Sequence, residues 1–215
     1  MPPSDLPPLG PLAARLRALP PSCGPVRLVA VDGHAGSGKT TFAAALSRAL
    51  GGATDSTPDR PPGGSDAAPV VHLDDLATHE QLFAWTGRLR AEVLEPLSRG
   101  ETARHRVYDW TARRFDALRE IPPAPVVLVE GVGSGRRELR PLLAALVWMD
   151  LPAAVARARG EQRDGPALAG FWQGWARAEA AHFAADPSRP YADVLVHGAS
   201  WEIRGQADPS SGHSR

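Results

Sequence analysis

The residues best suited to chemistry stand at the ends of short apolar runs. The run at residues 26–31 stops at Asp32 and leads into Gly33-His34-Ala35-Gly36-Ser37-Gly38-Lys39-Thr40. This is the spacing G-x-x-x-x-G-K-[ST], and each residue type has a physical task. Glycines let the backbone curl so that successive N–H groups point inward at phosphate oxygens. A helix starting behind the loop adds the positive end of its dipole. Lys39 brings a charge to the β- and γ-phosphates of a nucleotide, and the Thr40 hydroxyl can ligate Mg²⁺. Thr41 lies at the same helix start and is grouped with the loop. Lys39 is the only lysine among 24 basic residues. With this composition the pattern arises by chance in about one such chain per thousand. A glycine-rich turn with an incidental lysine is the competing reading, and a sole lysine at the required position argues against it.

Acids end the later apolar runs. Asp74 and Asp75 follow residues 70–73, Glu130 follows residues 126–129, and Asp150 follows residues 146–149. In an open α/β sheet, ligands sit beyond the carboxyl ends of strands. A carboxylate at Asp74 or Asp75 can take a proton from a substrate hydroxyl or hold Mg²⁺ through water. Either can equally cap a helix. Glu130 can position metal-bound water, or be a plain turn acid. Arg157, Arg159 and Arg163 lie within about two helical turns, and planar guanidinium forks suit a lid over phosphate. A solvated helix face is the alternative. Tyr108-Asp109-Trp110 can stack on and hydrogen-bond an acceptor, or pack a turn. Trp172 and Trp175 read as core. The seven histidines show no metal-binding spacing.

These stations need a scaffold. Strands are predicted at residues 26–31, 70–73, 104–108, 126–129, 146–149 and 192–197. Helices are predicted at 40–50, 79–98, 153–163 and 168–185. Apolar strands alternating with helices predict a mostly parallel sheet with helices on both faces. Residues 1–24 are proline-rich and read as a mobile N-terminal arm with a helical turn or two at the amphipathic stretch Leu12 to Leu19, 25–200 as the domain, 51–68 as a flexible loop, and 205–215 as a disordered tail.

Composition bounds the function. The 215 residues suffice for one ordinary α/β domain. Lys+Arg and Asp+Glu are both 24, so there is no global basic field and nucleic acid is not an expected partner. The longest apolar run, residues 142–149, has eight residues, whereas a membrane-spanning helix needs roughly 20. No targeting layout is visible at the N-terminus. One cysteine, Cys23, excludes an internal disulfide and fits a reducing, cytoplasmic setting. A homo-oligomer is compatible with all of this.

Over about residues 26–198 the stations resemble the uridine kinase-like branch of P-loop kinases, which includes phosphoribulokinase and pantothenate kinase relatives. The resemblance rests on the loop Gly33–Thr40, Asp74, Tyr108-Asp109-Trp110 in place of Tyr-Asp-Phe, and Glu130-Gly131. Arg163-Asp164 and Ala192-Asp193-Val194 complete it. It implies a three-layer P-loop NTPase fold with a parallel core sheet and a helical, arginine-bearing lid. It also implies ATP and Mg²⁺ as cofactors and transfer of the γ-phosphate to a small-molecule hydroxyl. Asp74 would be the base. Asp75, Tyr108, Asp109 and Arg113 would lie near the acceptor. Arg157, Arg159 and Arg163 would belong to the lid, and Thr40 and Glu130 to the metal.

Two positions depart from the family. After the second strand stands Asp74-Asp75-Leu76-Ala77 rather than Asp-Ser-Phe-Tyr. Arg113 occupies the place of a pyrimidine-reading histidine. An anionic or sugar-like acceptor therefore stands beside a nucleoside. Arg113 and Arg114 could also serve a nucleoside monophosphate, and a nucleotide-binding regulator with slow ATP hydrolysis needs no acceptor at all. Lys39→Ala is expected to abolish turnover while leaving the circular-dichroism spectrum and cooperative melt largely intact; near-normal turnover would remove the loop from the mechanism.

Overall fold

The first apolar run becomes strand β1 (Arg27–Gly33), and its alternation decides the layers. Val29 and Val31 point to one face of the sheet, Leu28 to the other, and all are fully buried. A strand apolar on both faces must lie in the middle of a covered sheet. The computed structural model, which describes residues 9–51, 67–198 and 201–205, places it there. The sheet has the order β2-β5-β1-β6-β7-β8. Its other strands are β2 (Val70–His72), β5 (Val126–Glu130), β6 (Ala145–Asp150), β7 (Val194–His197) and β8 (Glu202–Gly205). All neighbours pair in parallel except β7 and β8. Helices α1 (Gly10–Ala18) and α2 (Lys39–Gly51) cover one face. The other is covered by α3 (Thr86–Leu89), a π-helical stretch (Arg90–Leu94) and α4 (Glu95–Ser98), and further along by α6 (Ala169–Ala185). Helix α5 (Ala153–Asp164) precedes α6 and crosses it closely: a Cβ on Gly160 would stand 2.2 Å from the Trp172 ring. The mostly parallel sheet with helices on both faces is the arrangement the strand–helix alternation predicts, and it matches the three-layer P-loop fold that the resemblance implies.

Four expectations change. Of the supposed N-terminal arm, residues 9–24 are part of the domain, while 1–8 lie outside the described residues. Leu9, Leu12, Ala13 and Leu16 recur at helical spacing and are buried against α2 and the sheet. Arg17 donates to the last carbonyls of α2, Ala49 O at 3.2 Å and Leu50 O at 3.0 Å. The helix expected from residue 79 starts at Thr86, because His79 and Phe83 join an aromatic cluster. Its π stretch ends beside Pro96, which has no N–H for the regular ladder. The expected edge strand is β3 (Ala103–Asp109), paired antiparallel with an unforeseen β4 (Arg114–Ile121) in a separate two-stranded hairpin. Charged residues dominate β4 and conceal its alternation. Finally β8 extends the sheet, with Trp201 edge-on to Phe42 at 5.2 Å. Most of the proposed 51–68 loop and of the 205–215 tail lies outside the described residues.

One buried side chain locks the site's two central loops together. Asp32, with no exposed surface, accepts N–H bonds from Gly33 (2.7 Å) and Gly133 (2.8 Å) on one oxygen and from Gly135 (2.9 Å) on the other. Among the described residues no helix is long and apolar enough to cross a membrane. Asp32→Ala leaves three amides without an acceptor and is expected to lower stability in urea titrations by about 3 kcal/mol or more.

Candidate active site

The loop after β1 adopts the backbone its glycines permit. Gly36 and Gly38 have φ of 84° and 94°, where a side chain is strained. A Cβ on Gly36 would stand 2.1 Å from the Ala156 carbonyl oxygen of α5. A Cβ on Gly38 would meet no heavy atom within 4 Å, so the loop opens onto clear space there. Inside the loop the Ser37 N–H donates to His34 O at 3.0 Å. The buried Lys39 ammonium reaches over the loop to the same carbonyl, also at 3.0 Å. Lys39 opens α2, so the loop meets the helix N-terminus as the spacing predicts. Thr41 is exposed on the same first turn.

Glu130 ends β5 beside Val31 of β1, and that register carries it to the loop. Thr40 Oγ1 donates to Glu130 Oε1 at 3.2 Å, and His72 Nδ1 lies 2.8 Å from Glu130 Oε2. The bond to Glu130 holds the His72 imidazole above its ordinary pKa, against the opposing effect of burial. Thr40 and Glu130 present hard oxygens, the donor type Mg²⁺ takes. Among the described residues no group of three or more His, Cys, Asp or Glu could enclose a metal.

Asp74 lies on the 3₁₀ turn (Leu73–Asp75) that follows β2. Solvent reaches its side chain, yet protein crowds it on all other sides. That desolvation raises its pKa above the ordinary carboxylate range. The Glu130 charge raises it further, while Lys39 and His72 pull it down. Arg163 lies within electrostatic reach of Asp74, although its guanidinium is held by Asp164 at 2.6 and 2.9 Å. The fold thus gathers Lys39, Thr40, Asp74, Glu130 and Arg163 from four separate stretches of chain.

Other expected site residues serve the framework. Asp75 is buried beneath the hairpin, with its Oδ2 2.7 Å from Arg119 Nη1 and 3.4 Å from His105 Nε2. It anchors β3–β4 and is not presented to an acceptor. Asp109 Oδ1 accepts the Thr111 and Ala112 N–H groups at 2.8 and 2.7 Å. Arg113 holds φ 55° in that turn and pairs with Glu80 at 2.8 Å. Both residues shape the hairpin tip, as short polar side chains and left-handed backbone do in turns. Arg157 pairs with Glu161 one turn along α5 at 2.7 Å, and Arg159 is exposed on that helix. Of the three arginines, Arg163 is tied electrostatically to Asp74.

Tyr108 remains beside the cleft. It is buried, with its hydroxyl 3.0 Å from His79 Nδ1. His79 also faces Trp110 at 4.9 Å and Phe171 of α6 at 6.4 Å between ring centroids. The Trp110 indole N–H donates to the Asp74 carbonyl at 3.1 Å, so this aromatic wall is pinned to the turn that carries the acid. His72, His79, Phe171, Asp32 and Glu179 were not singled out by sequence. Asp32 alone had a local signal, as the acid ending the first apolar run. The others act through partners distant in the chain.

No family model matches this chain, and no curated protein matches it. Solved structures do. A possible uridine kinase from Bacillus stearothermophilus aligns with a TM-score of 0.58 and 20% identity, over 86% of this chain and 94% of that one. A putative fructose transport system kinase from Silicibacter sp. TM1040 aligns with a TM-score of 0.54 and 23% identity, over the same shares of 86% and 94%. The chain has the fold of these proteins nearly end to end.

Asp74 also affects stability. Its folded-state pKa is raised, so the folded protein holds the proton more tightly than the unfolded chain. Stability then falls as pH rises from the unfolded to the folded pKa. Asp74→Asn is expected to raise the melting temperature at pH 7 and to flatten its pH dependence just above the ordinary carboxylate range. An unchanged or lower melting temperature would contradict the crowding.

Proposed function

We propose that this protein is a small-molecule kinase that transfers the γ-phosphoryl group of MgATP to a hydroxyl of a nucleoside-like acceptor. One observation carries the reading: a crowded carboxyl, Asp74, lies within electrostatic reach of the phosphate-loop lysine and of Glu130, whose other contact is the Thr40 hydroxyl. An acid so placed can take the proton of an acceptor hydroxyl as that oxygen bonds to phosphorus. The fold shared with two proteins described as kinases supports it. The rings of His79, Tyr108, Trp110 and Phe171 near Asp74 favour an acceptor with a flat face.

In this mechanism the loop amides and Lys39 hold the β- and γ-phosphates. Asp74 accepts the proton of the acceptor hydroxyl as its oxygen bonds to the γ-phosphorus. The bond from that phosphorus to the β–γ bridging oxygen breaks, and ADP departs. Arg163 balances charge at the transferring group and helps to exclude water. Bound Mg²⁺, held by Thr40 with Glu130 behind it, would neutralise phosphate charge. A pKa raised above the ordinary carboxylate range makes the ionised Asp74 a stronger base than a free carboxylate. Arg113 and Arg114 each pair with a surface carboxylate, Glu80 or Asp116, and form no converging clamp for a monophosphate.

The test is ADP release from MgATP against nucleosides, nucleoside monophosphates and small hydroxylated metabolites, with Lys39→Ala as control. Acceptor-dependent ADP, abolished in the variant, is expected. Asp74→Asn should lower kcat by about 10²–10⁴ while MgATP affinity stays within a few-fold. Slow ADP release indifferent to every acceptor would favour a regulatory ATPase instead.

A further inference from the structure

The His34–Ala35 peptide is held at both ends. Its carbonyl accepts the Lys39 ammonium and the Ser37 N–H, each at 3.0 Å. Its N–H, that of Ala35, donates at 2.7 Å to Oε1 of Glu179 on α6. Glu179 is nine-tenths buried. Its Oε2 lies 3.1 Å from His34 Nδ1, and the Trp175 indole N–H also donates to Oε1 at 3.4 Å. The His34 ring is fixed in turn by Trp148 and Phe183, edge-on at 5.5 and 5.1 Å. Burial works to raise the Glu179 pKa, but His34 and the Ala35 N–H overcome it and leave the carboxylate below the usual range. A buried acid beside a loop that should attract anions needs a reason to be there.

A peptide plane is rigid, so fixing its N–H fixes its carbonyl. We propose that Glu179 is a positioning residue that sets the phosphate loop for nucleotide: by holding the Ala35 N–H it aims the His34 carbonyl at Lys39 and so places the lysine tip. This inference rests on the reading of the loop as a nucleotide site. Without the carboxylate, the half-buried Ala35 amide loses its acceptor, and rotation of the peptide would release Lys39 as well. The loop is braced by the lid side of the molecule, because α6 also packs against α5 where Gly160 meets Trp172. Glu179 holds the loop directly, whereas it meets the aromatic wall only through Trp175, whose ring lies 5.9 Å from that of Phe171, so its main effect falls on the nucleotide.

The experiment compares the full chain with Glu179→Ala and Glu179→Gln. It measures MgADP affinity by calorimetry, KM for ATP and for the acceptor, and the melting temperature without nucleotide. Loss of one hydrogen bond to a charged group corresponds to about tenfold. Glu179→Ala is therefore expected to raise the MgADP Kd and the ATP KM about tenfold, with the acceptor KM within about twofold. Glu179→Gln keeps an oxygen acceptor for Ala35 and should restore the nucleotide affinity to within about threefold. Should Glu179→Ala fail to fold, Glu179→Asp keeps the charge but withdraws it by one methylene, and carries the same expectation of weakened MgADP. Unchanged or tighter MgADP binding overturns the proposal, as does equal damage from glutamine and alanine or an equal shift in the acceptor KM. Failure of the wild-type chain to bind MgADP would overturn the nucleotide reading instead.

Discussion

The site depends on a carboxyl group that touches no solvent. Asp32 collects three backbone N–H groups from two loops that leave the sheet on neighbouring strands. The β1–β5 register opposes Val31 to Glu130, and Gly131 N–H returns to Val31 O at 3.2 Å. Without Asp32 those strands could stay paired while their loops diverged. With it, the phosphate loop and the chain beyond Glu130 leave the sheet in one fixed relation. The Thr40–Glu130 contact is a product of that relation and not of any attraction between distant sequence segments.

The hairpin shows the same economy on the acceptor side. It is outside the main sheet and packs by its buried edge, Ala103 and Ile121, against the α3–α4 face. Its orientation over the cleft comes from polar anchors. Asp75 holds Arg119 and His105, and the Asp74 carbonyl holds Trp110. Two successive acids thus divide the work: one fastens the wall and the other faces the cleft. Burial separates them, because Asp75 is enclosed while solvent still reaches Asp74.

What sequence could reveal follows from how local each signal is. The phosphate loop was legible because all its requirements fall within eight consecutive residues. The buried strands were legible as continuous apolar runs, and their terminal acids followed from the sheet. Helix α1 was legible only as a short amphipathic stretch, Leu12 to Leu19, because the prolines around it made the segment read as an arm and concealed that it packs on the domain. Asp109 matched a motif and Arg113 stood where that motif has a histidine, but both are engaged in a turn, since a short carboxylate meets neighbouring amides before it meets a ligand. Glu179 and His72 gave no signal. Each acts on a partner far along the chain, and only the fold brings them together.

Helix α1 sets a limit on trimming the chain. Its Arg17 closes the carboxyl end of the helix whose amino end carries the phosphate loop, and its leucines cover that helix's apolar side. A shortened version beginning at residue 25 would keep every residue of the nucleotide motif. It would also expose Leu46 and Leu50 as a sticky stripe and leave two carbonyls to water. Such a fragment should self-associate through that stripe, so the smallest usable expression boundary lies ahead of Leu9, in front of a helix that contributes no residue to the site.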